Sequence, residues 1–310
     1  MGNLIGALAL VVTIAVVGFI LWRERQGEKA DDYFAGKKPT PPKSRQDDRD
    51  WPAIVQDARN KAAALARPAI ALTMARGSVA DDAHSSIGGR PSLPADAPWP
   101  QDATGKPMIF LAQINYADMP PLDGYPTQGV LSFFVMDDDL NGCDFPSLAN
   151  KGFHVAYHED AGALVRRDLP DGGWEFTPFN DELTQQGRRL TGQAATGPVS
   201  PNSTAMRELT EGWYPDCPGE LWDTLHEDLA AAKPCEIYYG GHPDFTQEDF
   251  RQTGADSEQS EMLLQFGFVL DRDTGVEICW GDAGEACFLT SKADLADRRF
   301  DKVAYNWDCS

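Results

Sequence analysis

The residues best placed for chemistry lie in two glycine-rich turns: Trp280-Gly281-Asp282-Ala283-Gly284, and the turn that carries His242. Glycines in the first turn predict a tight bend that holds Asp282 in place, and Trp280 could form the wall of a pocket. Histidine exchanges protons near neutral pH, so His242 beside Asp282 could act as an acid or a base. The alternative is structural, because an aspartate often accepts hydrogen bonds from the backbone of its own turn.

Two glutamines interrupt apolar segments, Gln113 within FLAQI and Gln265 within LLQF. A buried side-chain amide has to form hydrogen bonds. Both glutamines therefore either brace neighbouring loops or line a central cleft, and the sequence leaves both interpretations open. The candidate cleft comprises Gln113, His242, Gln265, Trp280 and Asp282.

Patterns typical of metal sites are weak in this chain. The run DDDLNG from Asp137 begins like a calcium loop, but Leu148 stands where the loop requires glutamate, and an acidic turn is favoured. His154 and His158 alternate with apolar residues, which indicates a strand, and four strand residues cover about 13 Å, too far for one metal ion. We therefore expect no metal site and no cofactor.

Common catalytic signatures are missing from the sequence. It contains no G-x-S-x-G, H-E-x-x-H or phosphate-binding G-x-x-x-x-G-K-[ST] motif, and no G-x-G-x-x-G after a strand. This weakens hydrolase, metalloprotease, NTPase and dinucleotide-binding hypotheses without eliminating them.

The composition restricts the class of partner. A formal net charge of −21 argues against nucleic acid, because proteins that bind a phosphate backbone carry basic patches. The six cysteines include no C-x-x-C pair, and we expect them to be reduced in the cytoplasm. A protein partner is favoured, with a basic one suited to the acidic surface.

The N-terminus predicts a membrane anchor. Leu4 to Trp22 is free of charged residues and long enough, as a helix, to cross the roughly 30 Å hydrocarbon core of a bilayer. Basic residues follow this run and none precede it, which places the N-terminus outside and the soluble domain in the cytoplasm, at the plasma membrane. We assign residues 1–26 to the anchor, 27–50 to a linker and 51–310 to the soluble domain. The basic residues near the run are Arg23, Arg25, Lys29, Lys37 and Lys38.

The soluble domain mixes helical and strand patterns. Trp51–Ala66 and Glu220–Ala232 show helical periodicity, Ala69–Met74 is predicted as a second short helix, and Asp181–Gly212 is predicted as a long loop or weakly ordered insert. The predicted strands are Met108–Ile114, Val130–Met136, Phe153–Tyr157, Leu164–Arg166, Glu236–Tyr239, Met262–Leu270, Val276–Cys279, Ala286–Leu289 and Lys302–Tyr305.

Two stretches of the chain match at a fixed offset. GGRP at Gly88 and GGHP at Gly240 lie 152 positions apart, as do Gln113 and Gln265. In each half a glycine also precedes a phenylalanine by four residues: Gly129 before Phe133, and Gly284 before Phe288. Such self-similarity predicts an internal duplication, with repeat motifs near 85–140 and 237–292. Glycine pairs allow positive φ and proline ends the turn, so the structural turn residues are Gly88, Gly89, Pro91, Gly240, Gly241 and Pro243.

These segments also resemble a known family. SSIGGRPSLPADAPWP from Ser85, GKPMIFLAQIN from Gly105, LLQ from Leu263 and WGDAG from Trp280 follow the order and spacing of the YwqG-like family. The resemblance covers roughly residues 85–310. It departs from the family at Ser86, where lysine is common. It implies a duplicated α+β fold and brings no established activity, cofactor or catalytic residue.

Together these observations predict an internally duplicated α+β domain with mostly antiparallel sheets, preceded by one transmembrane helix. The leading functional hypothesis is a membrane-tethered cytoplasmic module that binds a protein, to which the resemblance adds a suggestion of an immunity-type role. The alternative is a hydrolytic enzyme with its site between the two repeats, formed by the candidate cleft residues.

Overall fold

The structure is a computed structural model that describes residues 48–76, 83–143, 152–252 and 258–309. The predicted anchor from Leu4 to Trp22 and its flanking basic residues lie outside the described residues. Within the described part of the chain, no helix is long and apolar enough to span a membrane. Asp50–Ser310 forms one compact unit.

The chain is rich in antiparallel strands, with short helices on the outside. The helices are α1 (Trp51–Ala64), α2 (Asp181–Gln186), α3 (Thr204–Leu209), α4 (Gly219–Ala231) and α5 (Lys292–Ala296). The strands are β1 (Arg67–Met74), β2 (Ser86–Ile87), β3 (Ser92–Pro94), β4 (Ile109–Asn115), β5 (Val130–Val135), β6 (Phe153–His158), β7 (Leu164–Arg166), β8 (Arg188–Gly197), β9 (Ile237–Gly240), β10 (Glu261–Phe266), β11 (Val269–Asp271), β12 (Val276–Ile278), β13 (Glu285–Thr290) and β14 (Ala304–Asp308).

Ten of these strands form one sheet in the order β14-β13-β10-β9-β1-β8-β2-β4-β5-β6. The long strands β1 and β8 pair at its centre, with Arg67 opposite Gly197 and Met74 opposite Leu190. On one side of this pair lie β2, β4, β5 and β6, and on the other lie β9, β10, β13 and β14, in the same sequential order outward. Neither central strand pairs with the strand that follows it in the chain. Strand β1 is followed by β2 but pairs with β9, and β8 is followed by β9 but pairs with β2.

The sheet curls around one apolar core and nearly closes. Phe133 on β5 packs against Phe288 on β13, with ring centroids 5.0 Å apart. Phe153 on the last strand, β6, reaches Tyr305 on the first, β14, at 5.3 Å. Alternate side chains of β5, Leu131, Phe133 and Val135, enter this core, whereas Phe134 packs in a second apolar cluster on the other face of the sheet.

Helix α1 follows the prediction closely. It begins at Trp51, where the Asp50 side chain accepts a hydrogen bond from the Ala53 N–H. Its buried residues, including Val55 and Ala62, pack in a small core with Leu225 of α4. The predicted Trp51–Ala66 helix is confirmed to within two residues, and Glu220–Ala232 to within one at each end.

The prediction of a helix over Ala69–Met74 is wrong, because this segment is the central strand β1. It is paired along both edges, by β8 and by β9. Alanine-rich composition favours a helix locally, but β8 pairs with the whole strand and β9 pairs with Ala69–Ala71, and this tertiary pairing outweighs propensity.

The prediction of a loop over Asp181–Gly212 is also wrong. The segment contains α2, the ten-residue strand β8, and α3. Many side chains of β8 face outward and are polar, so the strand lacks an apolar pattern, although pairing with β1 and β2 holds its backbone. The predicted strand Met262–Leu270 is two strands, because the chain leaves the main sheet at Gly267, whose N–H donates to Glu236 O.

Candidate functional site

The two glycine pairs form equivalent tight turns at the ends of β2 and β9. Gly88, Gly89, Gly240 and Gly241 all have φ between 61° and 69°, the left-handed region that glycine adopts readily. A Cβ on Gly88 would lie 2.2 Å from Leu183 O, and one on Gly241 would lie 2.9 Å from the Cα of Gly197. These turns therefore require glycine for both conformation and space.

Each glutamine braces the turn of its own half. Gln113 Oε1 accepts a hydrogen bond from Ser92 N at 2.8 Å, and Gln265 Oε1 accepts one from Asp244 N at 3.2 Å. In each half the N–H donor belongs to the residue 21 positions before the glutamine, directly after the GGxP sequence. Gln113 and Gln265 are 1% and 0% exposed, so these hydrogen bonds form in the protein interior.

The other predicted cleft residues occupy different surroundings. Trp280 is fully buried among the rings of Phe266, Tyr305 and Trp307. Asp282 is exposed at the tip of its turn. His242 is partly buried, its Nε2 lies 2.7 Å from Leu65 O, and burial lowers the pKa of its ring.

Gln265 leads to a cluster of charges that sequence analysis did not identify. Its Nε2 donates to Glu285 at 2.9 Å, and the Lys233 ammonium contacts Glu285 at 2.6 Å, Asp244 at 3.1 Å and Glu236 at 3.0 Å. Burial, with Asp244 next, raises the pKa of Glu285 to about 7. Burial alone would lower the pKa of Lys233, but Asp244 and Glu285 together raise it. This cluster joins the segment between α4 and β9, which carries Lys233 and Glu236, to strand β13 and the second glycine turn.

Strand β6 forms one edge of the sheet and has a groove on each face. The inner groove has a volume of about 500 Å³ and lies between β6 and the segment after α5. Its lining residues are Phe153, His154, Val155, Tyr157, Arg298, Arg299, Phe300 and Asp301. Because β6 and β14 end the same curled sheet, the inner groove lies where the sheet stays open.

The outer groove, of about 540 Å³, lies between β6 and the chain that follows β3. Apolar and aromatic groups dominate its lining. Burial lowers the pKa of both His154 and His158, and the proximity of the two rings adds to the effect at His154. The lining residues are Leu93, Ala97, Pro98, Trp99, Pro100, Gln101, Met108, Phe153, His154, Ala156 and His158.

Arg298 stands in the inner groove in a constrained conformation. Its φ of 56° is left-handed, at the position after the helix α5 C-cap where glycine is the usual residue. Its guanidinium lies 5.9 Å from the Tyr157 ring centroid, and Nη1 contacts Glu159 at 2.9 Å. A non-glycine residue in this conformation costs about 1–2 kcal/mol.

Sequence analysis predicted β6 as a strand but not as a sheet edge. Pairing partners depend on the fold of the whole chain, and no local pattern distinguishes an edge strand from a central one here. Arg298 and Arg299 lie in the pattern ADRRF, which carries no motif. Neither groove beside β6 is lined by a predicted cleft residue.

Comparison with known proteins identifies the domain. Residues 85–309 match the model of a domain of unknown function, DUF1963. The chain belongs to the DUF1963 family. The match covers most of the chain and agrees with the YwqG-like resemblance of the sequence motifs. The DUF1963 region begins just before β2, so α1 and the central strand β1 precede it. No curated protein matches the chain.

Proposed function

We propose that this DUF1963 protein is a membrane-tethered module that binds another protein at the cytoplasmic face of the plasma membrane. The observation that carries the proposal is β6, an edge strand flanked on both faces by grooves. An edge strand presents unpaired N–H and C=O groups that another chain can pair with. Extended segments are commonly recognised in this way.

The roles of the predicted cleft residues favour binding over hydrolysis. The side-chain amides of Gln113 and Gln265 accept hydrogen bonds from turns, and Trp280 lies in the core. A hydrolytic site would need side chains that converge on a space open to substrate. The grooves beside β6 supply such space, but none of the five predicted cleft residues lines them.

The tether follows from the uncharged run of Leu4 to Trp22 and the basic residues after it. Alkaline carbonate extraction tests it: the full chain should stay in the membrane pellet, and a variant lacking residues 4–22 should become soluble. Protease added to sealed inside-out vesicles should digest the domain. Protection in those vesicles would reverse the orientation, and full extraction of the complete chain would remove the tether.

Site-specific photo-crosslinking tests the binding surface. A photoreactive residue at Gln101, an exposed position that lines the outer groove, should give a discrete protein adduct in native membranes. The same residue at Glu277, exposed on β12, serves as the matched control. Equal products from both positions, or none from Gln101, would contradict binding at this surface.

We also propose that the domain arose by internal duplication. The matching strand order on both sides of β1 and β8 supports this, as do the equivalent hydrogen bonds of Gln113 and Gln265. The apolar clusters outside the shared core also support duplication, because they contain residues at corresponding positions. Leu93 lies in a cluster with Phe134, and Phe245, which is 152 positions after Leu93, lies in a cluster with Leu289.

A further inference from the structure

We infer that the segment bound at β6 is an extended strand of a partner protein in which apolar and acidic side chains alternate. This inference rests on the proposed binding function and specifies the chemistry of the partner. It follows from three features: the free edge of β6, the apolar character of the outer groove and the arginines of the inner groove.

Within the described part of the chain no strand pairs with the second edge of β6, and the Phe300 ring packs against Tyr157 near one end of the strand. The strand pairs antiparallel with β5 from Phe153 opposite Val135 to His158 opposite Val130. The described backbone hydrogen bonds show no second strand beyond it. In such a pair, alternate residues direct their N–H and C=O groups away from the partner strand. An added strand would therefore extend the sheet where it stays open.

The two faces of β6 determine how the side chains of a bound strand would alternate. Val155 and Tyr157 line the inner groove alone and Ala156 and His158 line the outer groove alone, whereas Phe153 and His154, at the start of the strand, line both. Successive side chains of any strand point to opposite faces. A strand added beside β6 would thus direct every second side chain into one groove and the remaining side chains into the other.

The outer groove suits apolar side chains. Trp99, Leu93 and Met108 line it, and the lowered pKa values of His154 and His158 favour neutral imidazoles above pH 6.5. No carboxylate or ammonium group belongs to its lining. Burying aliphatic side chains against such a surface is favourable, because it removes apolar area from water.

The inner groove suits carboxylates. Two guanidinium groups, from Arg298 and Arg299, face one carboxylate, Asp301, in its lining. Arg298 is 42% exposed, and its ion pair with Glu159 uses Nη1, one of the guanidinium nitrogens that together carry five N–H donors. Arg299 uses Nη2 for both Asp294 and Asp297. Both arginines already contact carboxylates, but a glutamate side chain could accept from the N–H groups that these contacts leave, whereas a lysine ammonium carries no acceptor for them.

Fluorescence anisotropy with the full chain in nanodiscs tests this chemistry. The probes are three labelled eight-residue peptides: one in which glutamate and valine alternate, one with the same residues in two blocks, and one in which lysine replaces glutamate in the alternating order. We expect the alternating glutamate peptide to bind at least tenfold more tightly than either of the others. Its binding should also slow amide hydrogen exchange at residues 153–158.

A charge reversal gives the decisive control. Arg298→Glu should weaken the alternating glutamate peptide about tenfold and strengthen the lysine peptide. Arg207→Glu, at an exposed arginine on α3, should leave both affinities unchanged. Equal binding of the alternating and block peptides, or the same response to both reversals, would overturn the inference.

Two further outcomes separate this inference from the proposed function. If Gln101 crosslinks a protein but no peptide binds, the module binds by another chemistry and the inference fails alone. If sedimentation shows a dimer that Ala156→Pro abolishes, and no peptide competes with it, the occupant of the β6 edge is a second copy of this chain and the inference is overturned.

Discussion

Phe133 and Phe288 occupy equivalent positions in the two sets of strands and pack against each other, with ring centroids 5.0 Å apart. Each lies four residues after a glycine, on β5 and on β13 respectively. Both rings are fully buried. The two sets of strands therefore share one core.

This contact predicts equal and coupled effects of mutation. Phe133→Ala and Phe288→Ala should each lower the free energy of unfolding by about 3–5 kcal/mol, because each leaves a cavity in the same core. The double variant should lose less than the sum, by about 0.5–3 kcal/mol, since the second change removes a contact already lost. Urea unfolding followed by tryptophan fluorescence measures both quantities. Strict additivity would show that the two rings are energetically independent.

Much of this fold was predictable because local pattern and tertiary environment agree. Strands β4, β5 and β13 are nearly continuous buried runs and α4 is an amphipathic helix, and both kinds of pattern can be read from the sequence. Strand β1 does not, because both of its partners are distant in the chain. The glutamine braces were predictable as one of two alternatives. The open edge at β6 and the Lys233 cluster depend on which segments meet, and no local spacing encodes that.

Arg298 is expected to reduce stability through its backbone. Arg298→Gly and Arg298→Ala both remove the contacts with Glu159 and Tyr157, and differ mainly in their preference for the φ of 56°. The glycine variant should therefore be more stable than the alanine variant by about 1 kcal/mol. Thermal unfolding of the two variants measures this difference. The same pair of changes at Arg299, whose φ is −94°, should show no gain for glycine.

The glutamine braces predict different responses to the same substitution. Gln113→Leu and Gln265→Leu should each cost about 1–3 kcal/mol, because each leaves a buried turn N–H unsatisfied. Glutamate retains the acceptor, but at position 265 it would stand where Nε2 now donates to Glu285 at 2.9 Å. Gln265→Glu should therefore be clearly more destabilising at pH 8 than Gln113→Glu. Similar losses in urea unfolding would indicate that Glu285 does not restrict this site.

Glu285 predicts a specific dependence of stability on pH. Its pKa is about 7 in the folded protein and 4.5 ordinarily, so the folded state binds more protons between these values. The stabilisation that Glu285 contributes to the folded protein is therefore greatest below pH 4.5 and is lost as the pH rises through 7. The lowered pKa values of His154, His158, His226 and His242 act in the opposite direction.

The difference between the wild type and Glu285→Gln isolates this carboxyl group. Lys233 keeps Asp244 and Glu236 as partners in that variant, so the cluster retains a paired cation. Relative to the wild type, the free energy of unfolding of Glu285→Gln should rise as the pH increases from 5 to 8. Glu277→Gln, exposed on β12, should follow the wild-type profile. A constant difference across this range would mean that Glu285 does not titrate there.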